Sequence, residues 1–595
     1  MVDSKKSSGL AGLGLAGGRV AIWCAAGAVA MAMGAGCARE PLDPFAPDEV
    51  GAIQRNAARD QATAELSSLE QGYRDWEGRR EREASSVTRP AAATLPVTTG
   101  GEPTVQMSLE SAIRRSVVNN LEVRVAGYGP AIESTRVLEA QARFDPTIFS
   151  NVGADVSNRD TAGSFIQDPA NNFGGRLANS SSQVQYTGAS GVRQILEGGG
   201  QVEARYQLRK TDQNPTSFAT DPFSEADLVL QLTQPLLRDF GGQVNRARID
   251  IARNNQRVSL LDFRQAVETT VADVEQSYWQ LVAAQKQVEI AERLLDRTIR
   301  TSDIISLRLE NDATKLQLSQ AQADADSRRA ALIRARARVR DLSDRLKQLI
   351  NDPDFPVASA TVLVATSAPL EQPIRFDYEE LLNAATAYRL ELAQQQLRTN
   401  NATVTIGAAK NNLQPQLNFV GSLNPSGGGN EFDRAISSQS DFNKLSYAAG
   451  LQFEIPIGNR EARAIYRRSQ LQRQQSITQY QSLVNQVAED VRVRAREVET
   501  SWQELYNFRN ARFAQEQALR AIQSQEDAAE PLTPFFVRNK LDTQARLAES
   551  EAQEIASLSG YNVAISQLER AKGTLLRYNN ISLEENGLTR QLKRR

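Results

Sequence analysis

Several short stretches alternate apolar and polar residues with period two, which predicts β-strands with one apolar face. The clearest runs through 445–455, where the apolar positions are Leu445, Tyr447, Ala449, Leu451, Phe453 and Ile455. The same pattern recurs in 148–156, 228–232 and 417–423. Such strands suit a barrel wall between lipid and water. A soluble sheet with one buried face gives the same alternation, so the pattern alone leaves both interpretations open.

One further alternating pair predicts an additional hairpin. Val184, Tyr186 and Gly188 alternate with polar residues, and so do Val202, Ala204, Tyr206 and Leu208. The sequence Glu197-Gly198-Gly199-Gly200 separates the two runs and is typical of a turn. The pattern does not decide whether this hairpin joins the other strands or lies beside them.

Four long stretches carry a helical pattern instead, over 244–309, 313–350, 460–528 and 538–577. The first would span about 100 Å as one helix. Its apolar positions follow alternating steps of four and three, interrupted at Gln285 and Glu292: Val267, Val271, Val274, Tyr278, Leu281, Val288, Leu295 and Ile299. A period near 3.5 residues predicts coiled-coil packing between neighbouring helices.

The chain repeats itself. Leu109–Pro146 aligns with Tyr378–Pro415 without a gap, and strands, a second proline and a long helix pair follow each copy. We therefore predict a first repeat over 106–352, a linker over 353–373, a second repeat over 374–578 and a C-terminal tail over 579–595. The strands are predicted at about 146–236 in the first repeat and 415–457 in the second.

The N-terminus predicts export. Lys5, Lys6 and Arg19 precede an apolar core over Val20–Ala35, so residues 1–36 are interpreted as a signal peptide. The small residues before Cys37 predict lipidation of its thiol, although Gly34 stands where leucine is usual. A plain cleaved signal and an uncleaved anchor are the alternatives.

The segment after the signal predicts a linker over 37–105, since it is rich in proline, alanine, serine and charge. No later run of 18 apolar residues occurs. If the mature chain spans a membrane, it must therefore do so as a closed β-barrel.

Composition argues against an enzyme. The chain has 69 Lys+Arg against 71 Asp+Glu, no histidine and two cysteines. The balanced charge gives no reason to expect nucleic acid as a partner. Without histidine the chain lacks the commonest general base and the commonest metal ligand, so we expect no catalytic site, no metal and no cofactor.

Taken together, residues 106–580 resemble the TolC family of outer-membrane factors. The resemblance rests on Leu228-x-Leu-x-Leu-x-Gln234-Pro235-Leu236, on the segments ending in Pro146 and Pro415, and on the closing stretch 562–576. It implies a mainly α fold with β structure. Three chains, each giving four strands, would form one 12-stranded barrel in outer-membrane lipid, continued by a long α-helical barrel in the periplasm.

The same resemblance implies a function. The homotrimer would be a passive conduit from periplasm to exterior, in a tripartite efflux pump or a type I secretion system. Its partners would be a periplasmic adaptor (membrane fusion) protein and an inner-membrane transporter. The additional hairpin departs from the usual strand count. The alternative is a coiled-coil scaffold of the cell envelope without a pore.

Adaptor docking is expected where each helix pair reverses. The residues at these two tips are Arg308, Leu309 and Asn311 in the first repeat, and Pro534, Phe535 and Phe536 in the second. An exposed aromatic pair indicates a partner surface. The alternative is that both rings pack against a neighbouring helix.

A ring at the periplasmic entrance is expected just above the second tip. Family members carry two aspartates there, one helical turn apart. Asp542 matches one of them, and Asn539 replaces the other. Threefold symmetry would gather three Asp542 carboxylates, which favours a bound cation or an Arg/Lys partner. An ordinary solvated Asp542 on a helix face is the alternative.

Because Asn539 removes half of the ring charge, we expect divalent cations to block this channel more weakly than they block a two-aspartate ring. Single-channel conductance with added divalent cations measures the block. Asp542→Ala should weaken it further; block identical to that of the unaltered chain contradicts the ring hypothesis.

Overall fold

A computed structural model describes residues 103–161, 165–167, 174–176, 179–214, 223–310, 313–440, 444–527 and 533–581. The predicted signal peptide, Cys37, Asn311, nearly all of the predicted linker 37–105 and most of the predicted tail lie outside these residues.

Helices make up most of the described chain. They are α1 (Leu109–Asn119), α2 (Leu121–Gln141), α3 (Gly242–Asn245), α4 (Ala247–Leu307), α5 (Lys315–Ile350), α6 (Tyr378–Tyr388), α7 (Leu390–Asn411), α8 (Phe432–Ser440), α9 (Arg460–Asp527), α10 (Pro534–Ala571) and α11 (Leu575–Tyr578). A 3₁₀ turn follows α2 at Ala142–Phe144.

The strands are β1 (Thr104–Met107), β2 (Thr147–Thr161), β3 (Phe165–Gln167), β4 (Gly174–Arg176), β5 (Asn179–Ile195), β6 (Gln201–Asn214), β7 (Phe223–Pro235), β8 (Val362–Ala365), β9 (Gln416–Gly429) and β10 (Leu445–Glu454). The predicted mainly α fold with β structure is confirmed at this level. The long helices α4, α5 and α9 begin and end within three residues of the predicted bounds, whereas α10 begins four residues and ends six residues earlier than predicted.

Six strands form one antiparallel sheet in the order β10-β9-β7-β6-β5-β2. The additional hairpin is β5–β6, and it lies inside this sheet between β2 and β7. The described chain therefore has six strands in one sheet, two more than the four that the resemblance implies for each chain. A hairpin adds two strands of opposite direction, so it enters an antiparallel sheet without disturbing the alternation of its neighbours.

The connecting segments are tied to the long helices through buried tyrosines. Strands β1 and β8 pair in parallel. The hydroxyl of Tyr278 on α4 donates to the Met107 carbonyl (3.0 Å) and accepts from the amides of Thr366 (3.0 Å) and Ser367 (2.8 Å). On α10, the Tyr561 hydroxyl similarly donates to the Gln372 carbonyl (2.7 Å). These bonds fix the segment between the two helix pairs, which the sequence presented as a linker.

The predicted apolar stripe of α4 is buried along most of its length. Its first five positions, from Val267 to Leu281, are fully buried. The interruption at Gln285 has a polar partner, because its amide donates to the Leu363 carbonyl of β8 (3.3 Å). Farther on, Leu294 is buried instead of Leu295, because this part of α4 packs against Ala548 on α10. None of the helices in the described residues combines the length and apolarity needed to cross a membrane.

A buried carboxyl group lies among these helices. Burial of Glu268 on α4 raises its pKa to about 7, and the nearby Glu391 carboxylate adds to the rise. Arg389, Arg570 and Arg264 act in the opposite direction. A carboxyl group with a raised pKa makes folding less favourable as the pH rises from its unfolded value to its folded one.

We therefore expect Glu268→Gln to change the pH dependence of unfolding. Between about pH 4.5 and 7 the unfolded chain loses the proton and the folded chain keeps it, so stability falls across this window. The variant should match the unaltered protein below about pH 4 and exceed it at pH 8, by at most about 3 kcal/mol. Thermal unfolding at both pH values, with exposed Glu549→Gln as control, measures this. Parallel profiles for all three proteins contradict it.

Candidate functional surfaces: the two-faced sheet and the helix tips

The strand register places most apolar residues of the six strands on one side of the sheet, although Phe149, Val229 and Val420 lie on the other. Directly paired residues in antiparallel strands project to the same side. Val152 pairs with Gly188, Gly188 with Leu208, and Leu208 with Ala226. Carried across the sheet, this register defines an apolar face that includes Ile148, Val152, Val156, Val184, Tyr186, Val192, Val202, Ala204, Tyr206, Leu208, Leu228, Leu230, Leu232, Leu417, Phe419, Leu423, Tyr447, Leu451 and Phe453.

The opposite side, the polar face, carries charged and amide side chains. Its members include Asn151, Asp155, Gln185, Thr187, Arg193, Glu203, Arg205, Gln207, Arg209, Glu225, Asp227, Gln231, Asn418, Ser422, Gln452 and Glu454. Ion pairs join Arg205 to Glu203 (3.3 Å) and Arg209 to Glu225 (3.1 Å) on this side.

The apolar face is exposed in this chain. Val152 is 89% exposed and Tyr447 is 79% exposed, and Ile148 and Leu451 are similarly open. A soluble sheet would bury such a face against its own core. Exposed apolar surface this continuous is typical of contact with lipid or another protein. The burial pattern therefore argues against the soluble-sheet interpretation of the alternation.

The two helix reversals lie side by side. Ile305 of α4 and Ala321 of α5 share a buried cluster with Val537 and Leu541 of α10. The Gln544 amide also donates to the Thr301 hydroxyl (3.3 Å), which joins the two helix pairs just above that cluster. The predicted tips of the two repeats thus form a single surface.

This surface separates the two phenylalanines that the sequence presented as a pair. Phe535 is 80% exposed, whereas Phe536 packs on the buried cluster beside Ile304. Pro534 is the first residue of α10, where its missing N–H is no loss. Of the first-repeat residues, Arg308 and Leu309 are partly buried.

Sequence reasoning missed two exposed apolar residues at the same tips. Leu307 ends α4 with 81% of its surface exposed, and Leu316 lies in the first turn of α5 with 67% exposed. Both adjoin the predicted reversal, and their position there was the available signal. With Phe535 they define the apolar tip.

Asn539 and Asp542 lie on the exposed side of α10, three residues apart. The other side of the helix carries Lys540, only 5% exposed, whose ammonium group meets the Glu526 carboxylate of α9 at 2.5 Å. This ion pair fixes the rotation of α10, so Asn539 and Asp542 project away from the helix contact.

One family model matches part of the chain. Residues 119–352 match the model of the family described as outer membrane efflux protein. This part of the chain is similar to that family. The match covers the sheet strands β2, β5, β6 and β7 and the helix pair α4–α5. The family consists of transport channels and not of enzymes, in line with the expectation from composition. No curated protein gives a match.

Solved structures of low identity share the fold. The CmeC outer membrane channel of Campylobacter jejuni is 14% identical, with a TM-score of 0.54, 82% of this chain covered and 88% of that chain. The open-state MtrE outer membrane channel of Neisseria gonorrhoeae is 18% identical, with a TM-score of 0.55 and coverages of 78% and 89%. The outer membrane protein VceC of Vibrio cholerae is 15% identical, with a TM-score of 0.53 and coverages of 78% and 96%.

The different surroundings of the two tip phenylalanines predict different stability effects. Phe535→Ala removes a ring from solvent and should leave the thermal midpoint unchanged. Phe536→Ala removes a ring from the packed cluster and should destabilise the fold by roughly 1–3 kcal/mol, less than a fully buried phenylalanine. Thermal unfolding of both variants compares them. An equal loss of stability in the two variants, or no loss in either of them, would contradict this difference between the rings.

Proposed function

We propose that this protein is the outer-membrane channel component of an efflux pump, acting as a passive homotrimeric conduit from periplasm to exterior. The observation that carries the proposal is the two-faced sheet. Its apolar face is open to contact with lipid and its polar face suits water, and residues 119–352 match the model of the outer membrane efflux protein family. A coiled-coil scaffold gives the exposed apolar face no role, so we do not favour it.

The proposed assembly follows from the sheet edges. In the described sheet the outer edges are β2 and β10. Unpaired backbone groups cannot remain in lipid, so the edges must find partners. Pairing with other copies of the chain closes a barrel, and the family resemblance supports three. The long helices α4 and α9 would then surround a water-filled space in the periplasm, with the two repeats as pseudo-equivalent parts of its wall.

Transport through this conduit needs no chemistry from the chain itself. The polar face would line the barrel and keep solutes hydrated, and energy would come from an inner-membrane transporter. Protein secretion and small-molecule efflux use the same kind of duct, and the transporter selects between them. A lipid on Cys37 would add an anchor in the outer membrane.

The apolar tip is proposed as the docking surface for a periplasmic adaptor. Leu307, Leu316 and Phe535 are exposed around one buried cluster, which supports a partner surface at this end. Asn539 and Asp542 are proposed to line the periplasmic entrance above it, since both are on the exposed side of α10.

Substitutions on the two faces of β2 test the proposed function. Val152→Lys places a charge on the apolar face and should cost about 2–4 kcal/mol if that face meets the bilayer midplane. The neighbouring Asn151→Lys places the same charge on the polar face and should be tolerated. Heat-modifiable trimer in isolated outer membranes is the measurement: strongly reduced for Val152→Lys and normal for Asn151→Lys.

Equal amounts of trimer from the two variants would contradict lipid contact on the apolar face. A purified unaltered chain that remains a soluble monomer would contradict the channel itself.

A further inference from the structure

We propose that the hairpin β5–β6 is part of the pore wall, so that three chains close an eighteen-stranded barrel with a wider outer mouth than a twelve-stranded one. The inference rests on the proposed function and deepens it, because it assigns the channel to bulkier solutes.

The hairpin is paired on both of its long sides. Strand β5 pairs with β2 from Asn179 to Arg193, and β6 pairs with β7 from Gln201 to Thr211. Between them, β5 and β6 pair along their length. Strands β2 and β7 are therefore not neighbours, and the sheet is continuous only through the hairpin.

From Gln201 to Arg209 the hairpin strand β6 has the same two faces as the rest of the sheet, and only beyond Arg209 do the charged residues Lys210 and Asp212 lie on the apolar side. Val192, Ala204, Tyr206 and Leu208 continue the apolar face, whereas Gln207 lies on the polar face. A hairpin projecting into the lumen or away from the barrel would have water on both sides and no reason for this alternation.

Charged side chains on the polar face of the hairpin also indicate that this face contacts water. This face carries the positive side chains of Arg193, Arg205 and Arg209 and one acidic side chain, that of Glu203. Among the described side chains, the charged residues on the polar face of the other four strands are acidic: Asp155, Glu225, Asp227 and Glu454. The hairpin thus widens the wall and adds arginines to its polar face. The ion pair Arg209–Glu225 joins β6 of the hairpin to β7.

The turn of the hairpin is docked where the sheet passes into the helices. Gly198 accepts from the Gly241 amide (3.1 Å), and Glu197 pairs with Arg246 (3.5 Å). Gly199 has φ of 91°, and a Cβ there would lie 2.1 Å from the Asp239 carbonyl oxygen. A turn packed this closely belongs to the barrel base and not to a free loop.

Strand directions allow the wider barrel to close. Strand β2 follows α2, and β10 leads towards α9, so the two edges run in opposite directions. A β2 edge and a β10 edge of neighbouring copies can pair antiparallel, like every other pair in the sheet. Six strands from each of three chains make eighteen, and the diameter grows about 1.5-fold over twelve strands because it rises roughly linearly with strand number.

Electron-microscopy images of the full-length trimer in lipid nanodiscs count the strands. Eighteen strands support the inference. A ring of twelve, with the hairpin outside it, overturns the inference and leaves the proposed function intact. A chain that forms no membrane-embedded ring contradicts the proposed function instead.

Two single-cysteine variants, examined in trimers reconstituted in liposomes, test which side of β6 contacts water. A water-soluble maleimide should label Gln207→Cys about tenfold faster than Leu208→Cys, because thiols react as hydrated thiolates. Labelling at equal rates in trimers that still conduct ions places water on both sides of β6 and overturns the inference.

Discussion

The register of the six-stranded sheet is the constraint on which the rest depends. Side chains alternate with a period of two, so a slip of one residue moves every side chain of a strand to the opposite face. In β6 such a slip would place Arg205 and Arg209 on the apolar face, with Arg205 beside Leu228 or Leu230. Charge on an apolar face is costly in lipid. The docked turn at Gly199 prevents the slip, because its positive φ and close approach to Asp239 admit no other residue cheaply.

The long helices are subject to a different constraint, because each of them packs against its neighbours with only part of its surface. Apolar stripes supply the contact, and buried polar groups with partners fix its position along the helix. Tyr278 and Tyr561 hold the connecting segments. Glu275 accepts from the Ser566 hydroxyl of α10 and from the Asn579 amide at 2.6 Å. Sliding one helix along another would leave these groups unpaired in the interior, which costs more than lost apolar contact.

Periodicity in the sequence predicted the elements well and their partners poorly. Period two located the strands, and a period near 3.5 located the long helices, because both signals are local. Whether β5–β6 joined the sheet depended on pairing with β2 and β7 across long loops, which local patterns do not encode. The pairing of β1 with β8 was missed for the same reason. Phe535 and Phe536 are adjacent in sequence, and only the packing of α10 on α4 distinguishes the exposed ring from the packed one.

The proposed docking end combines exposed apolar groups with a rigid base. Thr314 and Gln317 form a capping box at the start of α5, and the Thr533 hydroxyl accepts from the Phe536 amide (3.2 Å) at the start of α10. Apolar side chains on a flexible loop would fold back and cover one another. Held by capped helix ends over a buried cluster, Leu307, Leu316 and Phe535 stay apart and exposed. A partner then has little conformational entropy to remove, so a small apolar tip can give useful affinity.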